Sequence, residues 1–177
     1  MTVPPWAYEK PELRPHDPNW AAEAAAERAR LTELLAPWLV DGIEHVGSTA
    51  VPGLAAKPIL DLMASVRDLE EVAVESLSAD GWCYVPPELD LRPWRRFFVK
   101  PDTSGQRRWA HLHVIASGHP RWAEQIAFRD ALRRDEQLAS RYEDLKRRLV
   151  DEHGSDREAY TGAKAEFVAN VLKGAGT

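Results

Sequence analysis

Residues 44–63 read EHVGSTAVPGLAAKPILDLM, Glu44 to Met63, and in this stretch two β-prone runs bracket a small hydroxyl-bearing turn. Ile43 to Val46 suits a strand, Gly47-Ser48-Thr49 a turn, and Ile59 to Val66 a second strand that carries one acid, Asp61. Gly47 has no side chain to keep a ligand away from backbone amides and tolerates positive φ, while Ser48 and Thr49 add hydroxyls. A concave run of amides and hydroxyls holds phosphate oxygens, and a carboxylate on the adjacent strand suits the Mg²⁺ that accompanies a nucleotide. Gly-Ser-Thr is also an ordinary turn composition, so the turn by itself leaves a ligand loop and a plain connection both open.

The same residues belong to a longer pattern: Glu44-His45-Val46-Gly47-Ser48-Thr49, Val51-Pro52-Gly53-Leu54 and Lys57-Pro58-Ile59-Leu60-Asp61. In these motifs the chain resembles the GrpB-like family. Asp17-Pro18-Asn19-Trp20, Arg96-Phe97-Phe98, His111-Leu112-His113-Val114, Phe128-Arg129-Asp130 and the segment from Tyr160 to Phe167 follow in that family's order, so the resemblance spans nearly the whole chain. It implies a minimal nucleotidyltransferase of the polymerase-β type, with the Gly-Ser turn and the Asp61 strand side by side. A third acid is expected from a neighbouring strand, where this chain offers His111 and His113. One departure stands out. The superfamily's second acid falls at Met63, which shares a strand face with Asp61, so a two-metal site cannot be assembled from that strand alone. Met63 is expected to line a partly solvated cleft wall and to tolerate replacement by Asp.

Along the chain, a proline-rich arm of seventeen residues precedes an N-cap at Asp17 with Pro18 at the first helical position. Trp20, Ala24, Leu31, Leu34, Leu35 and Trp38 recur at helical spacing, predicting a helix that ends by Asp41-Gly42. After the strand to Val66, Asp68 predicts a capped helix to about Ala79, stopped at Asp80-Gly81. Trp82 to Val85 reads as a short strand, and Arg95 to Lys100 with Arg107 to Ala116 as a β-hairpin turning at Pro101 to Gly105. Three helices follow, from Pro120, from about Asp135, and from a capping box of Ser155 and Glu158 to near Gly174. The fold class is α/β of the α+β kind: a mixed sheet with a hairpin, covered by helices, plus a C-terminal helical segment.

The 177 residues suit one domain with a sizeable core. No apolar run approaches the roughly 20 residues that span a bilayer, and the first residues lack a leader's charged start and apolar centre, so a cytoplasmic location is expected. Cys83 stands alone and reads as a small core residue. A net charge of -5 argues against general nucleic-acid binding, which needs an excess of phosphate-neutralising cations. The charge is uneven: residues 92–108 carry +5 and the remainder -10, a local basic patch fit for a small anion.

His111 and His113, two apart on a strand, project to one side, and neutral imidazole is a common metal ligand; Asp61 completes a set of three. The alternative is a pair of hydrogen-bonded histidines, one buried and one in a wet cleft. Glu44 is a further candidate carboxylate, although alternation sends His45 toward the cleft if Gly47 faces it; the competing role is an ion pair with a hairpin arginine. Lys57, Arg95, Arg96 and Arg108 are the phosphate-binding candidates, Arg by two parallel hydrogen bonds. Trp94 and Trp109 offer base stacking or core packing. The expected function is metal-dependent transfer, with Mg²⁺ or Mn²⁺, of a nucleoside monophosphate from an NTP to a small acceptor. Gly47, Ser48 and Thr49 hold phosphates and Asp61 holds the ion. The competing reading is a degenerate nucleotidyltransferase that binds a nucleotide or CoA-like ligand without chemistry; a histidine-triad reading of residues 111–114 is opposed by Ile115 at the next alternate position.

Overall fold

The apolar stripe of Trp20, Ala24, Leu31 and Leu35 forms one face of helix α1 (Asn19–Leu35). The computed structural model describes residues 3–10, 12–153 and 157–174, the side chains of 153, 157 and 158 excepted. The Asp17 carboxylate accepts from the Asn19 amide at 2.9 Å, but the N-cap falls on Pro18, one residue later than expected, and Asn19 is the first helical residue. α1 stops sooner than the spacing suggests: Trp38 sits in a turn, its amide donating to the Leu35 carbonyl, and strand β1 already runs over Leu39–Val46. Gly42, which reads as a helix stop, instead occupies the irregular step of that strand at φ 90. A glycine at positive φ serves either purpose.

Strand β2 (Leu60–Val66) pairs antiparallel with β1. The helix expected from Asp68 shrinks to α2 (Val74–Ala79), because the Asp68 carboxylate closes a turn onto the Glu70 amide rather than capping a helix. Strand β3 (Cys83–Val85) leads through a single turn, α3 (Pro87–Asp90), to the hairpin of β4 (Arg95–Pro101) and β5 (Arg108–Ala116). The sheet order is β1-β2-β5-β4-β3, with β2 and β5 parallel and the other pairs antiparallel. Helices α4 (Pro120–Arg134), α5 (Glu136–His153) and α6 (Arg157–Gly174) complete the chain. The capping box of Ser155 and Glu158 lies outside the described residues.

Strand alternation divides the sheet into two unlike faces. On one, Ile43, Leu60, Leu62, Ala64, Phe98, Leu112 and Val114 pack against α1 in the main core. Full burial of each such aliphatic side chain contributes about 1.5–3 kcal/mol. On the other face the register places Asp61 opposite His111 and Met63 opposite His113 across the parallel β2–β5 pair, and Glu44 opposite Met63 across β1–β2. Here α4 covers one part and leaves another open: Val46, Met63 and Ile115 pack beneath Trp94, Trp122 and Ile126.

Met63 therefore shares the face of Asp61, as alternation requires, but it is not an open cleft wall. Its exposure is 2% because α4 and Trp94 seal it. The expected tolerance of an acid there is corrected accordingly. Met63→Asp would bury a carboxylate with no partner, at a cost on the order of 3 kcal/mol or more. Urea unfolding checks this, and a parental midpoint for the variant would show that the wall admits water.

Candidate functional site

Asp61 begins β2 beside the end of β1, where the chain turns through Gly47. Its Oδ1 lies 3.2 Å from His111 Nδ1 and 3.2 Å from His113 Nε2, while the two rings meet edge to face at 6.2 Å. The three donor atoms fall within 4.8 Å of one another, a spacing that can hold a metal ion. A third of the Asp61 side chain (33%) stays exposed beside them. Enclosure works against the charge of Asp61, but the hydrogen bonds from both histidines outweigh it and hold the carboxyl well below its ordinary range. Burial in turn depresses His113, opposed by its bond to Asp61. Phe97 closes the side of the pair, 5.1 Å from His111 and 5.2 Å from His113 between centroids.

Gly47 is required on two counts. Its φ is 74, and a Cβ there would stand 2.7 Å from Asp61 Oδ2. After it, residues 48–50 form one 3-10 turn. Thr49 is buried, its Oγ1 in contact with His45 Nε2 at 2.9 Å and donating to the Ile59 carbonyl at 3.4 Å, so this hydroxyl braces the loop and is not available to a ligand. His45 points to the opposite side from Asp61, contrary to its expected course toward the cleft. Burial lowers its pKa to about 4 and keeps it neutral.

The C-terminal helices grip this loop by its backbone. Arg129 donates to the His45 carbonyl and Arg133 to the Ala50 carbonyl, while Glu143 accepts from the Ala55 amide at 2.9 Å and Lys146 donates to the Ala55 carbonyl at 2.5 Å. Lys146 is the residue that sequence reasoning missed. It is 2% exposed, and its Nζ also donates to Ser48 Oγ at 3.1 Å. Burial, followed by the neighbouring charge of Lys164, lowers its pKa to about 7. Lys146 continues into a ladder in which amines alternate with phenol rings. Lys146 lies 5.1 Å from the Tyr142 centroid, Lys164 lies 5.9 Å from Tyr142 and 5.0 Å from Tyr160, and Lys57 lies 4.3 Å from Tyr160. For Lys164, burial opposes the charge but Tyr142, Tyr160 and Asp61 together raise its pKa. The available signal was Lys146 and Tyr142, with Lys164 and Tyr160, four residues apart on their helices, a spacing that reads equally well as solvated surface.

Lys57 thus joins the ladder, whereas the hairpin arginines meet partners elsewhere. Arg95 is bound through Nε and a terminal nitrogen to Asp90 (2.8 and 2.5 Å), and its other terminal nitrogen contacts His113 Nδ1. Arg96 emerges on the opposite face, where it donates to the Val72 carbonyl and pairs with Glu70. Arg108 by alternation also leaves the Asp61 face, and its guanidinium lies 5.4 Å from the Trp6 ring of the N-terminal arm. Glu44 does share the Asp61 face, but its carboxylate pairs with Arg129 at 2.6 Å and not with an arginine of the hairpin; it is not one of the three clustered donors. Trp94 stacks on His119 at 5.2 Å and Trp109 packs against the main core, so both serve packing.

The sequence profile described as "GrpB protein" matches residues 10–174. The chain belongs to the GrpB family. Among its relatives, the UPF0157 protein YqkA of Bacillus subtilis (strain 168) is 32% identical over 168 residues, covering 94% of this chain but 47% of YqkA, so the chain spans about half the length of that relative. The crystal structure of the conserved protein GrpB from Enterococcus faecalis superposes with a TM-score of 0.78 at 28% identity, covering 93% of this chain and 96% of that one. A cytoplasmic RNA terminal U-transferase superposes with a TM-score of 0.51 at 16% identity over 77% of this chain and 42% of its own, a likeness of fold. The GrpB chain therefore has a nucleotidyltransferase-like α+β fold. Among the described residues, no helix is long and apolar enough to cross a membrane.

Two outcomes are expected of this geometry. Gly47→Ala should displace the Asp61 carboxylate and strain the turn, costing about 1–3 kcal/mol; thermal unfolding together with the histidine NMR shifts of residues 111 and 113 reads it. His45, neutral when folded but protonated below about pH 6.5 once unfolded, lets the unfolded state bind the extra proton. The His45 contribution to stability should therefore fall as pH drops from about 6.5 toward 4 and be fully present above 6.5. His45→Asn should flatten part of that slope in urea titrations at pH 5 and 7.5.

Proposed function

We propose that this GrpB protein is a metal-dependent nucleotidyltransferase that moves a nucleoside monophosphate from an NTP to a small acceptor. The observation that carries this reading is the meeting, at Gly47-Ser48, of the Asp61–His111–His113 donor group and the Lys57–Tyr160–Lys164–Tyr142–Lys146 ladder. A carboxylate with two imidazoles fits a divalent ion in number and spacing. The nitrogen donors favour Mn²⁺ or another first-row ion over Mg²⁺, which prefers oxygen ligands throughout. Such an ion, when bound, stabilises charge on phosphoryl oxygens.

The chain's own groups supply the remainder. Lys146 donates to Ser48 Oγ, which leaves the hydroxyl hydrogen of Ser48 to donate to a phosphate oxygen. Lys57 and Lys164 offer two amines to the charge of a departing pyrophosphate, while the buried Lys146 acts through Ser48, and cations placed where charge develops are an effective form of catalysis. Asp61, already accepting from two histidines, serves as a ligand and not as a base. Arg95 and Arg96 are committed to Asp90 and Glu70, so these two hairpin arginines are not offered to a polynucleotide backbone.

A second reading, a nucleotide-binding module without chemistry, is favoured by Met63, which seals the place of the second acid with an apolar side chain. Incubation with each NTP in Mn²⁺ and in Mg²⁺, following pyrophosphate release alongside calorimetric binding, separates the two. Release in Mn²⁺ supports transfer, binding without release supports the module, and neither sinks both. For the phosphate ladder, Lys164→Ala should weaken NTP binding at least tenfold in low salt while changing nucleoside binding little, since charge-assisted contacts to phosphate are lost.

A further inference from the structure

The Asp61 group has a neighbour of the wrong sign for a metal site. A histidine that ligates a metal through one ring nitrogen ordinarily donates the N–H of the other to a carboxylate or carbonyl. His113 does the reverse: its Nδ1 faces a terminal nitrogen of Arg95, which can only donate. With Nδ1 accepting from Arg95, the single N–H of a neutral ring resides on Nε2, directed at Asp61 Oδ1 at 3.2 Å. That N–H occupies the lone-pair position an ion would need. Arg95 is not a mobile surface cation. It is 9% exposed, bound at two nitrogens by Asp90 (itself 5% exposed), and layered 4.2 Å from the Phe97 centroid and 5.4 Å from Trp94. His111 differs. Its Nδ1–H faces Asp61, but among the described residues its buried Nε2 has no hydrogen-bond partner, so no donor there prevents the proton from moving to Nε2 and freeing the Nδ1 lone pair for an ion.

We infer that Arg95, anchored by Asp90, is a positioning residue that locks His113 as a hydrogen-bond donor to Asp61, so that an ion is taken by Asp61 and His111 and gains His113 as third ligand only when Arg95 withdraws. This rests on the reading of the three residues as a metal group and adds a gate to it. The device keeps the resting site of modest affinity and gives a conformational route to a tighter one, through the short α3 turn that carries Asp90 between β3 and β4.

Titration of the full chain with Co²⁺ alone, by calorimetry and by the visible absorption of the bound ion, tests it. In the parent, His111→Ala should abolish binding, whereas His113→Ala should change affinity less than about threefold. Arg95→Met should tighten Co²⁺ binding at least tenfold and intensify the visible bands, and adding His113→Ala to it should erase the gain. Because Arg95→Met strands the Asp90 carboxylate, Asp90→Asn with Arg95→Met removes both charges and should show the same gain if the single variant does not fold. A role confined to fold stability would move unfolding without moving these bands. Parent binding that is lost on His113→Ala, or folded Arg95 variants no tighter than the parent, overturns the gate while leaving the metal reading in place. Absence of Co²⁺ binding at millimolar concentration in parent and variants alike overturns both.

Discussion

A carboxylate enclosed on three sides must be given donors, and the arrangement around Asp61 follows from that requirement. Two imidazoles supply hydrogen bonds from the neighbouring strand β5, and Gly47 supplies the space for Oδ2 by having no side chain. The parallel β2–β5 register makes this possible: it sets Asp61 beside His111 and leaves His113 two residue pairs further along, on the same face. A slip of one residue between these strands would put Asp61 and the histidines on opposite faces. The sheet's apolar face, packed on α1, is what forbids such a slip, so the main core and the site are held by the same register.

Around this centre the chain separates the holding of a loop from the use of it. Thr49 and His45 brace the loop from beneath, and Arg133, Glu143 and Lys146 hold its backbone from the helical side. What then remains presented is small: the Ser48 hydroxyl, the open third of Asp61 and the amines of Lys57 and Lys164. Fixed dipoles and charges of this kind would meet a phosphate with little reorganisation, which is where electrostatic catalysis draws its strength. The same features would serve an enzyme or a binding protein, and Met63 under α4 is the residue on which the two differ.

The hairpin cations show how a charge count in sequence misleads. Residues 92–108 carry a net +5, yet Arg95, Arg96 and Lys100 are each committed to acids supplied from elsewhere in the chain. Lys100 joins Glu27 of α1 and Asp80 beyond α2, fastening the edge of the sheet on the side away from the site. The positive charge that does gather beside Ser48 comes from Lys57, Lys146 and Lys164, drawn from a loop and two helices.

What the amino-acid order determined by itself was local or periodic. The five strands, the hairpin, the three closing helices, the Gly47 turn beside Asp61, and the common face of Asp61 with Met63 and of His111 with His113 follow from period-two alternation and turn chemistry, which act over a few residues. The Glu44-to-Asp61 and His111-Leu112-His113-Val114 motifs likewise carried the family. Tertiary structure alone decided which partners those residues meet. Gly42 has the same backbone freedom in a helix stop as in a strand irregularity, and only pairing with β2 selects the second. Glu44 stands where a ligand would, but Arg129 arrives from 85 residues away to claim it. Met63 is a cleft wall or a core residue according to where α4 lies. Lys146 reads as one more solvated helical lysine until α5 packs on the loop and brings its amine to Ser48, because long-range packing, which no local pattern encodes, sets the surroundings of a side chain.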